Sequence, residues 1–149
     1  MIGKPTNFKT ETQIRMANTR KESLRAWLQL QFVDYREDIF LSLISGDASF
    51  RKYYRVEVKG TNYVAVDAPP SYEDSKRFVS IAQLYSQASI RTPSIFFKDI
   101  ENGFMLLEDF GDQTYFKKFN SLRKDSNFEE INNLYESAIN TLVDIQSKV

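Results

Sequence analysis

The sequence contains no cysteine and no histidine among its 149 residues. The lack of cysteine excludes a disulfide, a thiolate nucleophile and a Cys/His zinc site in this chain. The lack of histidine excludes a His-based catalytic triad or proton shuttle. Any chemistry encoded here must therefore use carboxylates, hydroxyls, lysine, arginine, tyrosine or the backbone.

The chain also lacks an excess of either charge and any long hydrophobic run. Its 20 basic and 20 acidic residues cancel, so no broad basic field favours nucleic acid or an anionic membrane as a partner. Every apolar stretch is far shorter than the roughly 20 residues that a helix needs to cross a bilayer. Residues 1–18 carry no signal-peptide pattern, and we expect them to form a loose leader of a cytoplasmic protein.

The chain nevertheless has enough apolar residues for one folded domain, at 42% hydrophobic and 14% aromatic. An apolar run at 39–44 leads into a loop with one glycine at 45–50, and the strand-like run 51–58 follows. Turn residues at 59–62 precede another run at 63–67. This order predicts three consecutive strands.

Alternation along the third of these strands separates two kinds of side chain. Because successive side chains point to opposite faces of a strand, Val64 and Val66 share one face and Ala65 and Asp67 share the other. A face that presents a small residue and a charge is expected to cover something polar. We therefore expect a polar ligand beside Ala65 and Asp67.

Hydrophobic periodicity and capping residues predict the rest of the chain. A capping box at Thr19–Glu22 starts the first helix. The last helix has a wide apolar stripe and no stop signal before Val149, so we expect the chain to end inside a larger fold. The predicted fold class is α+β, a five-stranded antiparallel sheet with one helix inserted after the third strand. The helices fall at 19–33, 71–88, 114–119 and 127–149, with a polar gap at 120–126, and the last two strands fall at 95–97 and 104–107.

Several short motifs follow one another in a specific order. They are Arg25-Ala-Trp-Leu28, Ser45-Gly-Asp-Ala-Ser-Phe-Arg51, Tyr54-Arg-Val56, Val66-Asp-Ala-Pro-Pro70, Phe78, Ile81-Ala82, Pro93, Gly103-Phe-Met-Leu-Leu-Glu-Asp-Phe-Gly-Asp112, Thr114-Tyr115 and Asp144-Ile-Gln146. In this order they resemble the aminoglycoside phosphotransferase-like kinases. More narrowly, they resemble the bacterial sugar kinases that phosphorylate N-acetylmuramate and N-acetylglucosamine at the anomeric position. The resemblance covers residues 22–149.

The resemblance implies the N-terminal lobe of a protein-kinase-like fold, with an ATP-binding small lobe at 19–108, a hinge linker at 109–112 and the start of a truncated helical C-lobe at 113–149. Adenine would bind to the hinge backbone, Ala65 would lie over the base, and the loop 46–50 would fold over the phosphates. Mg²⁺ would bind to ligands in the missing part of the helical lobe. The implied nucleotide-binding residues are Gly46, Asp47, Ala48, Ser49, Phe50, Arg51, Ala65, Asp67, Leu107, Glu108, Asp109 and Phe110.

One departure from the kinase pattern concerns the phosphates. The third strand of protein kinases carries a lysine that contacts them, whereas Asp67 stands at the matching position. The sugar-kinase branch shares this Asp-Ala-Pro-Pro pattern, so the cation that binds phosphate stays open among Arg51, Lys52 and Arg55. Asp67 is also a candidate to pair with one of the two arginines, Arg51 or Arg55.

The other departure concerns catalysis. Kinases of this group need a catalytic loop of the H-x-D-x-x-x-x-N type. This chain has no histidine, and none of its aspartates is followed five positions later by asparagine. Asp109-Phe110-Gly111 spells a magnesium-binding triplet but directly follows the fifth strand, so it is interpreted as hinge. We assign no catalytic or metal-binding residue and expect this chain alone to be inactive.

Three functions remain open from the sequence. The first is the ATP-binding half of a cytoplasmic sugar kinase, with a nucleotide and a small sugar as substrates. The second is a non-catalytic α+β binding module whose final helix holds a missing lobe or a second copy of the chain. The third is the nucleotide lobe of an aminoglycoside or other small-alcohol phosphotransferase, because the acceptor site lies mostly outside these residues.

Overall fold

The computed structural model describes residues 11–45 and 49–149, and describes side chains for 19–44 and 49–149. Within these ranges the elements are α1 (Glu11–Gln31), β1 (Ser42–Ser45), β2 (Lys52–Val58), β3 (Thr61–Asp67), α2 (Ser75–Gln87), β4 (Ile95–Asp99), β5 (Phe104–Glu108), α3 (Tyr115–Lys124) and α4 (Phe128–Lys148). The predicted α+β class, with one helix inserted after the third strand, is confirmed. In the described part of the chain, no helix has both the length and the apolar character needed to span a membrane.

The five strands form one antiparallel sheet in the order β1-β2-β3-β5-β4, which puts β3 at its centre. Ala65 of β3 pairs with Tyr54 of β2 and with Leu106 of β5. The next residue, Val66, pairs with Met105 of β5. Since paired residues point to the same side of an antiparallel sheet, Ala65 and Val66 mark its two opposite faces.

Helix α1 covers the face that carries Ala65, which is called the α1 face below. Leu24 and Leu28 of α1 are 0% exposed. The ring of Trp27, the single tryptophan of the chain, lies 5.9 Å from the ring of Phe104, centre to centre. Each large apolar side chain buried here contributes roughly 1.5–3 kcal/mol. The buried cluster consists of Leu24, Leu28, Ile39, Tyr54, Val56, Val58, Ala65, Phe104 and Leu106.

Helix α2 packs on the opposite face, called the α2 face below. Val79 of α2 forms a second buried cluster with Val66, Ala68, Met105 and Leu107. Phe78, Tyr53 and Val64 are only partly buried against it. The two helices thus cover opposite sides of the central strand, and each side retains partly buried residues.

The first helix begins earlier than predicted. It starts at Glu11, so Thr19 lies inside the helix and the capping box does not mark its start. The Ser23 hydroxyl donates to the Thr19 carbonyl at 3.0 Å, a contact typical of a helix interior. The sequence before Thr19 is rich in strong helix formers such as Glu, Gln, Arg, Met and Ala. The helix therefore takes in part of the predicted 1–18 leader.

Other boundaries differ by a few residues. Helix α2 is capped by Asp74, whose side chain accepts from the Arg77 amide, instead of starting at residue 71. Helix α3 is capped by Thr114, as expected, but continues through most of the predicted polar gap to Lys124. Leu122 explains the difference, because it is buried and holds the second half of α3 in place.

The turn between β4 and β5 depends on Gly103. Its φ is +73°, and a Cβ at this position would lie 1.9 Å from the carbonyl oxygen of Ala68. The backbones are this close because the Ala68 amide donates to the Gly103 carbonyl at 2.8 Å. Gly60 has a similar φ of +76°, but a Cβ there would meet nothing within 4 Å.

We expect Gly103→Ala to destabilise the fold more than Gly60→Ala. Both substitutions place a side chain in the left-handed region, at about 1–2 kcal/mol each. Only Gly103→Ala adds an overlap with backbone that cannot move aside, so its total loss should exceed about 3 kcal/mol. Urea unfolding followed by Trp27 fluorescence measures both variants. Equal losses would show that the Ala68 contact does not constrain the turn.

Candidate functional site

The candidate site lies on the α2 face next to residues 109–112, called the hinge segment below. Val64 at the centre of the sheet pairs with Arg55 of β2 and with Leu107 of β5. The strand pairing of β3 and β5 ends at Tyr63 and Glu108. The hinge segment follows directly and forms neither helix nor strand.

Arg55 ties β2 to the hinge segment. Its Nε donates to Asp109 Oδ2 at 2.5 Å and its Nη2 to Asp109 Oδ1 at 3.1 Å, while Nη1 donates to both oxygens of Asp112 at 2.9 Å. Asp109 Oδ1 also accepts from the amide of Gly111 at 2.7 Å. The hydrogen bonds from Arg55 lower the pKa of Asp109, and those to Asp109 and Asp112 raise the pKa of Arg55. One arginine fork therefore holds both ends of the hinge segment.

Glu108, which directly precedes the hinge segment, is held by the connection between α2 and β4. Its Oε2 accepts from Arg91 Nη1 at 2.9 Å and from the Ser94 amide at 3.1 Å, and its Oε1 accepts from Arg91 Nη2. The Arg91 guanidinium also lies 4.7 Å from the ring centre of Phe110. The Arg91 and Ser94 hydrogen bonds lower the pKa of Glu108 from 4.5 to about 2. The fifth strand was predicted to end at Leu107, whereas β5 continues to Glu108.

The residues of the predicted phosphate loop are only partly described. Gly46, Asp47 and Ala48 lie outside the described residues. Ser49 lies at the loop exit, where its Oγ accepts from the Arg51 amide at 3.1 Å. Leu107, Glu108, Asp109 and Phe110, the other predicted group, are gathered around the hinge segment.

Phe50 and Arg51 connect the loop exit to the link between β3 and α2. The rings of Phe50 and Tyr72 are stacked, with centres 4.0 Å apart and an interplanar angle of 15°. The next residues form an ion pair, in which Arg51 Nη2 donates to Glu73 Oε2 at 2.9 Å. The Arg51 guanidinium also lies 5.2 Å from the ring centre of Phe78 on α2. These contacts place Arg51 on the α2 face.

Ala65 and Asp67 lie on the α1 face, away from this group. Ala65 is 0% exposed within the cluster under α1, and Asp67 is 1% exposed. Arg20 of α1 donates to Asp67 Oδ1 from Nε at 2.8 Å and from Nη2 at 2.5 Å. Its Nη2 also donates to the Asn102 carbonyl at 2.8 Å. The polar partner expected beside Ala65 and Asp67 is thus a residue of the chain itself.

The predicted pairing of Asp67 with Arg51 or Arg55 is wrong. Arg51 and Arg55 pair with other carboxylates, and Asp67 binds Arg20. The prediction failed because it considered only cations on the neighbouring strand, whereas α1 places its own arginine over this face.

The sequence analysis missed Arg20, Glu73 and Arg91. Arg20 had a usable signal, since it precedes Leu24 and Leu28 at intervals of four residues and therefore lies on their buried side of the helix. Glu73 and Arg91 lie in connections between elements, where no periodic pattern indicates the direction in which a side chain points. Across the described ranges there is no group of three or more acidic residues placed to hold a metal ion. The Mg²⁺ ligands expected in the helical lobe remain a prediction.

The match to known proteins accounts for this arrangement. The model of the phosphotransferase enzyme family matches residues 41–147, from β1 to α4. This chain belongs to the phosphotransferase enzyme family. The resemblance drawn from the motifs is therefore confirmed, and the kinase-like small lobe agrees with the five-stranded sheet.

Three curated relatives of this phosphotransferase carry the same name, N-acetylmuramate/N-acetylglucosamine kinase. The Pseudomonas putida protein is 35% identical over 137 residues, covering 87% of this chain and 38% of the relative. The Pseudomonas aeruginosa protein is 39% identical over 102 residues, covering 68% and 28%, and the Neisseria meningitidis protein is 29% identical over 97 residues, covering 64% and 28%. The chain thus spans well under half the length of these relatives. No solved structure matches it.

We expect Arg20→Met to lower the free energy of unfolding by about 3 kcal/mol, because it leaves the buried carboxylate of Asp67 without its partner. The double variant Arg20→Met/Asp67→Leu should recover most of this loss. Urea unfolding measures both. Arg25→Met, which changes an exposed arginine of the same helix, is the control and should stay within about 0.5 kcal/mol of the unchanged protein. A loss in Arg25→Met as large as that in Arg20→Met would contradict the assignment.

We expect the stability of the hinge region to fall in acid. The pKa values of Glu108 and Asp109 are lowered in the fold, so their contribution is present above the unfolded pKa and lost as pH falls through the folded one. For Glu108 this window runs from 4.5 down to about 2. Urea midpoints between pH 7 and pH 2 measure the loss, which should be smaller in Glu108→Gln/Asp109→Asn than in the control Glu136→Gln. The same loss of stability in acid in the unchanged protein and in both variants would show that Glu108 and Asp109 do not cause it.

Proposed function

We propose that this chain is the nucleotide-binding lobe of an ATP-dependent sugar kinase that acts on an amino sugar of the N-acetylmuramate or N-acetylglucosamine class. The observation that carries the proposal is that three relatives from different bacteria, aligned over these residues, are all named for the same kinase activity. The family match supports it, because it spans the sheet, the hinge segment and the two helices that follow.

The α2 face is our candidate for the adenine site. Val64 is only partly buried there and lies beside Leu107. The backbone of residues 109–110 lies beyond the last strand pair, so its amide and carbonyl groups are not used by the sheet. Adenine needs an apolar surface with backbone donors and acceptors along one edge, and this corner combines the two. It replaces the position over Ala65 that the resemblance implied.

We assign the chemical step to residues beyond this lobe. The reaction would transfer the γ-phosphoryl group of ATP to a sugar hydroxyl by in-line displacement, with Mg²⁺ neutralising charge on the phosphates. The chain lacks the H-x-D-x-x-x-x-N pattern that supplies the base and a metal ligand. The part played by this lobe is therefore to hold and orient ATP, in the cytoplasm, where ATP is available.

We also propose that α4 packs against further helical structure of the kinase. Tyr135, Ile139, Leu142 and Val143 of this helix are exposed. A contiguous apolar surface of this kind marks an interface, and the relatives are more than twice as long as the matched region. A non-catalytic module that binds a second copy through the same side chains is the alternative.

A chimera tests the proposed function. It joins this chain to the segment of the Pseudomonas putida kinase that follows the aligned region, and ADP release is measured with N-acetylmuramate, N-acetylglucosamine, an aminoglycoside and choline. We expect turnover with the two amino sugars, and none from the 149-residue chain alone.

The variant Val64→Trp should raise the KM for ATP at least tenfold by filling the adenine site, while Ser80→Trp, at an exposed position of α2, should leave it unchanged.

Four outcomes would contradict the proposal. Turnover by the 149-residue chain would refute the assignment of catalysis to the missing lobe. Turnover only when the added segment comes from an aminoglycoside phosphotransferase, and not from the Pseudomonas putida kinase, would replace the acceptor class. A folded chimera without any turnover would favour the binding module, as would an apolar dye that binds the chimera as strongly as it binds the isolated chain.

A further inference from the structure

We propose that Arg51 is the cation of this lobe that contacts the phosphates of the nucleotide. The inference rests on the proposed function, since it names a residue of the same site. Protein kinases use a lysine of the third strand, held by a glutamate of the helix that follows it. In this chain the arginine lies just before β2. The carboxylate that holds it belongs to Glu73, just before α2.

The contacts separate the three cations near the loop. Arg55 directs three nitrogens to the two carboxylates of the hinge segment. Lys52 pairs with Asp67 across the sheet, which places it on the α1 face. Arg51 lies on the α2 face with Arg55. Unlike Arg55, it has a buried Nε that donates to no described residue.

Arg51 is also a partly buried cation with an unmet hydrogen bond. The side chains of Arg51 and Glu73 are 17% and 16% exposed. Nη2 of Arg51 donates to Glu73, whereas its Nε is buried and has no hydrogen-bond partner in the described part of the chain. A buried donor without a partner is strongly disfavoured. Phosphate oxygens are the partners that an arginine fork matches best.

A second observation points to a polar ligand at the same junction. Ser75, the first residue of α2, is 3% exposed, and its hydroxyl also has no partner among the described residues. Ser75 follows Glu73 by two positions. Tyr72, which stacks on Phe50, directly precedes Glu73. Two buried polar groups with unmet hydrogen bonds therefore flank one short segment.

Glu73 acts in this scheme as a positioning residue. Its negative charge alone would repel phosphate, but it occupies only Nη2 of Arg51 and leaves Nε and Nη1 to donate. The neighbouring carboxylate, Asp74, is engaged by the amide of Arg77 as the helix cap. The Glu73 pair thus fixes the direction of the guanidinium before nucleotide binds.

Titrations of the full 149-residue chain with ATP, adenosine and inorganic tripolyphosphate test this role. We expect Arg51→Met to weaken the binding of ATP and tripolyphosphate at least about tenfold, the loss of a charged hydrogen bond, and to leave adenosine affinity unchanged. Glu73→Gln should weaken ATP binding less. Lys52→Met is the matched control, because it removes the adjacent charge from the opposite face, and it should change ATP affinity by less than about twofold.

The outcomes separate this inference from the proposed function. Equal ATP affinities for Arg51→Met and the unchanged chain, or equal losses in Arg51→Met and Lys52→Met, overturn the role of Arg51 and leave the proposed function standing. Failure of the unchanged chain to bind ATP, adenosine and tripolyphosphate overturns both. Amide NMR spectra establish that each variant is folded. If Arg51→Met is not, Arg51→Gln decides, because it removes the charge but keeps a polar side chain, and full ATP affinity in that variant overturns the inference.

Discussion

The buried carboxylate of Asp67 determines how the two faces of the sheet are used. It lies at the end of the central strand, 1% exposed beside the apolar cluster under α1, and a charge in that position requires a paired partner. Arg20 supplies the partner only when α1 lies across this face. The helix then excludes a ligand from the α1 face. Arg51 and the contacts of Arg55 with the hinge segment are on the other side, which is the face that we propose for binding.

Charged contacts also set the position of the hinge from two directions. Arg55 reaches it from β2, and Arg91 reaches the end of β5 from the connection that follows α2. Such contacts are individually modest where solvent screens them, but they converge on residues 108–112 and restrict the same short piece of backbone. A site that recognises a flat base through backbone groups depends on this restriction, because a displaced hinge would lose its hydrogen-bond geometry.

The sequence predicted the parts of the fold that periodicity encodes. The five strands, the helix after the third strand and the cap of α4 at Asn127 follow from local patterns. The start of α1 did not, because residues before Thr19 form helix by propensity without a boundary signal. Alternation correctly separated Val66 from Asp67, but it does not state which face the ligand uses. Which face stays open depends on Arg20, which precedes Asp67 by 47 positions, and on Glu73, which lies outside any periodic element.

The paired contacts of Phe50 with Tyr72 and of Arg51 with Glu73 have a mechanical consequence. Two consecutive residues at the loop exit are joined to two consecutive residues before α2. A pair of adjacent attachments resists twisting as well as separation, whereas a single one would act as a pivot. A displacement of residues 72–73 is therefore transmitted to residues 50–51 as a rigid shift.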